Sequence, residues 1–300
     1  MEPQRVLSYA PDELRDFLPA FLASYIREPS VGREVAAAVA RVLEDAADAA
    51  MTHLQEAIVD LGSENRLYAA DPLARRVSRA FGGVMMAAPR LEGLDRLRDA
   101  ASGGPTVVVC NHCSYFDSTA LDALVATEGA ADIADRVVSI AGPKVYDEPF
   151  RRFASLCLNT LPVPQSTRLE GTARLGPREL AVRALQSVRA AHTALDEGRI
   201  LLLFAEGSRT RTGRLRPFLR AVHRYLDHPG ARVVPAALEG TDGIFPLDTD
   251  RLQQHRVHLR FGDPIPVVEG ALRALETAHG AVRDLLPDYM RPEPGEAALA

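Results

Sequence analysis

Cysteine is scarce, with Cys110, Cys113 and Cys157 the only three in 300 residues. Three thiols make no disulfide framework, which fits a reducing compartment. Cys110 and Cys113 have C-x-x-C spacing, but Asn111 and His112 stand between them and no second pair follows. Zinc or dithiol chemistry is therefore not indicated. No apolar run reaches the ~18 residues of a membrane-spanning helix. The amino terminus also lacks a basic start followed by an apolar stretch, so no signal peptide is read. Any membrane contact is expected to be peripheral. A basic excess is missing as well. The formal net charge is −5, which argues against a dedicated nucleic-acid binder while leaving room for a local basic site. Internal repeats, low-complexity tracts and the Walker A pattern G-x-x-x-x-G-K-[ST] are all absent.

What is present suits a globular chain: 47% hydrophobic and 25% charged residues, enough for one large core or a core with a helical attachment. Residues 12–27 carry Leu14, Phe17, Leu18, Phe21, Leu22 and Tyr25 near helical spacing, with Pro19 as a kink or break. An alanine-rich stretch over 31–59, with Val35, Val39, Val42, Leu43 and Met51 as its stripe, reads as one long helix. Residues 72–88 read as another. An all-helical region over 1–90 is therefore expected.

Beyond residue 100, short apolar runs alternate with helical patterns. "TVVVC" (106–110), "RVVSIAG" (136–142), "TLPVP" (160–164), "RILLLFAEG" (199–207), "ARVVPAALEG" (231–240) and "HRVHLRFGDPI" (255–265) read as strands. Helices are expected at "STALDALVA", at "EPFRRFASLC", over 178–197 and over 271–285. The alternation predicts an α/β fold, a mixed, largely parallel sheet flanked by helices. The α/β domain is placed at 91–290 and a polar tail at 291–300.

Two polar segments follow buried strands: "NHCSYFDS" at 111–118 and "FAEGSRTRTG" at 204–213. In open α/β sheets, ligands bind beyond the carboxyl ends of strands. His112 can take a proton from a hydroxyl, and Asp117 can fix its tautomer and stabilise the imidazolium, provided the chain turns between them. On one continuous helix a spacing of five would part them. Each residue also has a structural reading: Asp117 as the cap of the following helix, His112 as a loop histidine, Ser114 as a support for the turn, Cys113 as packing. In the second segment, Gly207 permits a tight turn, Arg209 offers a planar fork for phosphate and Ser208 a hydroxyl donor. Glu206 can bind a substrate hydroxyl or orient the basic groups. A solvated basic turn is the alternative. Together, the two segments suggest acyl transfer to a hydroxyl on a phosphorylated acceptor.

These segments resemble the glycerolipid acyltransferase family, which holds the 1-acylglycerol-3-phosphate and glycerol-3-phosphate acyltransferases. "NHCSYFDS" matches the family's NHxSxxD element, which implies that His112 and Asp117 are catalytic, with Asn111 and Ser114 beside them in the pocket. "FAEGSRTRTG" is similar to FPEGTRSRxG, with Ala205 in place of proline. The match implies substrate or phosphate binding by Glu206, Gly207, Ser208 and Arg209. "GPKVYDEPFRRFASLCLNTLPV" looks like the segment between these elements. The family commonly closes that segment with IPVxR, whereas this chain reads "LPVPQSTR", which moves the basic acceptor contact to Arg168, with Lys144 as another. "VVPAALEG" resembles the fourth motif and makes Pro235 part of the pocket wall. Arg151 and Arg152 either meet anionic headgroups or a carrier protein, or form a solvated helix face. The likeness covers about 101–265.

The resemblance implies an O-acyltransferase with no bound cofactor or metal. Its donor is acyl-CoA or acyl-carrier protein. Its acceptor is a glycerol-phosphate or lysophospholipid, foremost 1-acylglycerol-3-phosphate, with glycerol 3-phosphate or another hydroxylated lipid as alternatives. Hydrolysis of the acyl thioester, or lipid binding without catalysis, are the competing functions. The expected location is the cytoplasm, peripheral on the inner face of the membrane, with no nucleic acid as partner.

Overall fold

The computed structural model describes residues 6–62, 66–146, 148–163, 176–293 and 295–300. Helices α1 (Pro11–Ala23), α2 (Pro29–Glu44), α3 (Asp48–Asp60) and α4 (Pro72–Met85) come first. Proline opens α1, α2 and α4, where its missing N–H costs nothing and its fixed φ suits the first turn. Pro19 lies buried inside α1 without ending it. The single helix expected over 31–59 is two helices. The break at Asp45–Ala47 is held by Arg15, which donates to the carbonyls of Leu43 (3.3 Å) and Ala46 (2.7 Å) and to Asp48 Oδ1 (2.7 Å). A distant guanidinium thus satisfies one last-turn carbonyl of α2 and one of the linker that follows.

Strand β1 (Met86–Glu92) begins inside the stretch expected to be helical, and α5 (Leu94–Gly103) follows it. The segment "MAAPRLE" shows no alternation of apolar residues because it is an edge strand with most of its side chains exposed or half-buried. Its register shifts between Ala87 and Arg90, where Ala88 has φ +43° and Pro89 donates no ladder bond.

The remaining strands and longer helices are β2 (Thr106–Cys110), α6 (Asp117–Val125), β3 (Val137–Ala141), α7 (Pro149–Leu156), β4 (Asn159–Pro162), α8 (Pro177–Asp196), β5 (Ile200–Phe204), β6 (Arg232–Glu239), β7 (His255–Phe261), β8 (Ile265–Pro266) and α9 (Ala271–Leu285). The sheet has the order β1-β7-β6-β2-β5-β3-β4, with β8 also on β6. Strands β6, β2, β5, β3 and β4 run parallel. Strand β7 is antiparallel to β6, and β1 is parallel to β7. The sheet is mixed and largely parallel, as the alternation of strands and helices predicts.

Side chains alternate across the sheet. Val108, Cys110, Leu202 and Val234 face one core, which also takes Leu14, Val39, Leu54 and Phe81 of α1–α4. Val107, Val109, Leu201 and Val233 face a second core under α8 and α9. The apolar stripes of the amino-terminal helices are therefore consumed in covering one sheet face. Residues 298–300 pair with the 218–220 stretch: Phe218 N–H donates to Ala298 O, Ala300 N–H to Phe218 O and Arg220 N–H to Ala300 O, each at 2.9 Å. Among the described residues, no helix is long and apolar enough to cross a membrane.

Candidate active site

Strand β2 lies between β5 and β6, and Cys110 is level with Phe204 on one side and Ala236 on the other. Parallel pairing in this register ends β2 and β5 together, so the segments after them emerge side by side. They are also bonded to each other. The His112 N–H donates to Glu206 Oε1 (2.8 Å), and the Thr210 N–H donates to His112 O (2.8 Å).

His112 Nδ1 lies 2.8 Å from Asp117 Oδ2. A carboxylate accepts, so Nδ1 carries the proton and Nε2 is left as the free acceptor. The imidazole stacks on Phe204, with ring centroids 4.3 Å apart and planes 20° apart. Asp117 is the first residue of α6, where a negative charge suits the helix dipole. Its Oδ2 accepts from the backbone of the preceding loop, Cys113 N–H at 2.8 Å and Ser114 N–H at 3.1 Å. Its Oδ1 accepts from Thr241 Oγ1. The Asp117 side chain is 0% exposed and that of His112 16%. The turn at 111–116 thus brings the pair together, and the carboxylate locks the turn that makes the meeting geometric.

Both carboxylate oxygens of Glu206 are occupied. Oε1 takes the His112 N–H, and Oε2 takes the N–H (3.1 Å) and Nε (3.4 Å) of Arg216. Burial pushes this carboxyl up to about 7, against the opposing pull of those backbone donors and of the Arg216 charge. Arg216 also donates to Ser208 O (2.7 Å) and Ser208 Oγ (2.9 Å). Glu206 therefore orders the loops and Arg216. Gly207 has φ +72°, and a Cβ there would stand 2.3 Å from Leu219 Cδ1, so both backbone and space favour glycine.

A cleft of about 780 Å³ opens over the two segments. Its apolar lining includes Ile140, Val145, Phe150, Leu158 and Val188. Its cationic lining includes Lys144, Arg151, Arg209, Arg211 and Arg224, and His112 also reaches it. Lys144 is the sole lysine of the sequence. Arg209 lies over the ring of Tyr115, its Cζ 3.7 Å from the centroid.

Not every residue singled out from the sequence reaches the cleft wall. Asn111 and Pro235 do not. The Asn111 amide donates to Leu238 O and accepts from Leu238 N–H, both at 2.8 Å, extending the β2–β6 ladder past Cys110. Pro235 sits in β6 between its pairings with β8 and β7, a place where a missing N–H is tolerated. Ser114 lines the cleft, but its hydroxyl is fully buried, donating to Phe245 O at 3.1 Å and accepting from the Phe116 N–H at 3.2 Å. It supports the turn. The neighbours Arg151 and Arg152 part company. Arg152, half-buried, donates to the carbonyls of Ile58, Val59 and Tyr146, so its guanidinium caps α3. Arg168 lies outside the described residues. Cys110 and Cys113 are buried free thiols whose ionisation burial pushes well up. Among the described residues, no three His, Cys, Asp or Glu side chains gather to hold a metal.

Sequence reasoning missed Thr241, Arg216, Phe204 and Tyr115. Phe204 and Tyr115 both lie within the quoted segments, but only Tyr115 is near His112 in the sequence; Phe204 is reached only through the pairing of β2 with β5. Thr241 is 124 residues from Asp117, and no spacing rule joins them.

An α/β sheet with polar loops at the ends of its parallel strands defines the class. A family model described as Acyltransferase matches residues 89–239, half of the chain, and the chain belongs to this acyltransferase family. It is similar to the chloroplastic 1-acyl-sn-glycerol-3-phosphate acyltransferase BAT2 of Brassica napus, with 24% identity over 207 residues. That match covers 69% of this chain and 50% of the relative, so the chain spans about half the length of the curated protein it matches. Among solved structures it is similar to the 1-acyl-sn-glycerophosphate (LPA) acyltransferase PlsC of Thermotoga maritima. There the identity is 16% and the TM-score 0.47, over 91% of this chain and 96% of that one.

Proposed function

We propose that the protein is an O-acyltransferase that moves an acyl group from a thioester to a hydroxyl of a glycerol-phosphate acceptor, 1-acylglycerol-3-phosphate foremost. His112 Nε2 takes the proton of the acceptor hydroxyl while Asp117 holds Nδ1–H and stabilises the imidazolium. The acceptor oxygen attacks the thioester carbonyl, and the tetrahedral intermediate collapses by breaking the C–S bond. The departing thiolate receives the proton from His112, giving an ester and a free thiol. The O–H and C–S bonds break, the C–O and S–H bonds form, and no atom changes oxidation state. Cationic side chains around the cleft, Arg209 first among them, attract the phosphate. The apolar lining suits a hydrocarbon chain.

The observation that carries this reading is the 2.8 Å contact between His112 and Asp117, with Nε2 unpaired among the described residues and His112 on the wall of a cation-rich cleft. The name of the Brassica relative supports the choice of acceptor. The test is acceptor dependence: purified protein with a long-chain acyl thioester, with and without 1-acylglycerol-3-phosphate, and products resolved by mass spectrometry. Ester formed only with acceptor, and reduced about 10²–10⁴-fold in His112→Ala, is expected. Free acid released equally in both arms would replace transfer by hydrolysis. Full activity in His112→Ala would end the reading.

A further inference from the structure

The ring of Tyr115 carries two guanidinium groups. Arg209 Cζ stands 3.7 Å from its centroid and Arg151 Cζ 4.7 Å, both inside the ~6 Å over which an aromatic face attracts a cation. The three side chains come from three pieces of chain: the loop after β2, the loop after β5 and the first turn of α7. All three line the cleft that His112 reaches.

A ring holds a guanidinium differently from a carboxylate. A carboxylate neutralises the charge and occupies the N–H fork. A π face holds the cation while leaving both charge and in-plane donors for an incoming oxyanion. Arg216 illustrates the first case, spent on Glu206 and Ser208. Arg209 illustrates the second, with no carboxylate or carbonyl partner among the described residues. Arg151 shares its Nε with Glu148 at 3.2 Å and keeps its terminal nitrogens.

The platform is itself braced. Tyr115 packs on Phe245 (centroids 6.2 Å apart), Phe245 on Phe150 (5.9 Å) and Phe150 on Tyr25 (4.8 Å), a row of rings leading back to the amino-terminal helices. Tyr115 also lies between His112 and Asp117 in sequence, so one short loop sets both the base and the platform.

We propose that Tyr115 is a positioning residue. It fixes Arg209 and Arg151 as a paired anchor for the phosphomonoester of the acceptor, at a set distance from His112. This rests on the acyl-transfer reading above and names what would register the acceptor's charged end against its reacting hydroxyl.

The test is calorimetric titration of a short-chain 1-acylglycerol-3-phosphate, below its micelle concentration, into the wild-type protein and variants, alongside steady-state kinetics. Tyr115→Phe keeps the π face and binds within about twofold of wild type, while Tyr115→Leu binds about 5–10-fold more weakly. The acceptor KM rises by about the same factor while the donor KM is unchanged, a split between the two substrates that general loosening of the loop would not produce. In an Arg209→Ala background, Tyr115→Leu costs less than it does in wild type. Arg151→Ala, which leaves the loop sequence intact, weakens binding by about fivefold. Wild-type binding by Tyr115→Leu or by Arg151→Ala, equal damage from Phe and Leu, or additive losses with Arg209→Ala would each overturn the proposal. A wild-type protein that binds no phosphomonoester would instead remove the acceptor reading beneath it.

Discussion

The backbone N–H of His112 and the carboxylate of Glu206 meet at 2.8 Å, joining the loop after β2 to the loop after β5. The buried acid that makes this contact is raised to about 7. A carboxyl raised above its unfolded value binds more protons folded than unfolded, so its contribution to stability is full below about 4.5 and is lost as pH rises through about 7. Glu206→Gln removes that titration. Thermal melts of wild type and variant between pH 4.5 and 8 should show a difference that shifts against the wild type as pH rises. A constant difference across that window would remove the assignment.

Thr241 Oγ1 is the only donor to Asp117 Oδ1 among the described residues. Thr241→Val keeps the shape and leaves a buried carboxylate oxygen unpaired, a loss of about 1–3 kcal/mol. Denaturant titration should register it, and kcat should fall about tenfold as Asp117 loosens its hold on His112. Thr241→Ser should restore both. A valine variant with wild-type stability and turnover would show the hydroxyl to be dispensable.

Gly207→Ala meets two obstacles, a φ of +72° and Leu219 Cδ1 at 2.3 Å from the new Cβ. The left-handed backbone alone costs about 1–2 kcal/mol. In Gly207→Ala with Leu219→Ala the steric part should be relieved and the backbone part retained. Melting temperatures should therefore rank wild type above the single variant, with the clash relieved in the double when it is compared with Leu219→Ala alone. An alanine variant as stable as wild type would contradict both.

Legibility in the sequence followed the range of the interactions. "TVVVC" and "ILLLF" were readable because a strand buried on both faces is a continuous apolar run. "MAAPRLE" was not, since an edge strand with exposed side chains leaves no such run. The break at 45–47 sits in alanine-rich sequence that would continue as helix, and it depends on Arg15, far away in the chain. The His112–Asp117 meeting was inferable from a short loop. The long-range bonds of Glu206 and Thr241 were not. Arg151 and Arg152 differ by one residue, about 100° around a helix. That rotation sends one to the cleft and the other to the end of α3.

Strand β2 has both its partners downstream, β5 at 200–204 and β6 at 232–239. A nascent chain leaving the ribosome therefore carries "TVVVC" with two open edges until those residues have been made. An apolar strand in that state is a template for intermolecular pairing. Slower translation or a lower expression temperature, by shortening the exposure of that edge relative to folding, is therefore expected to raise the yield of folded protein.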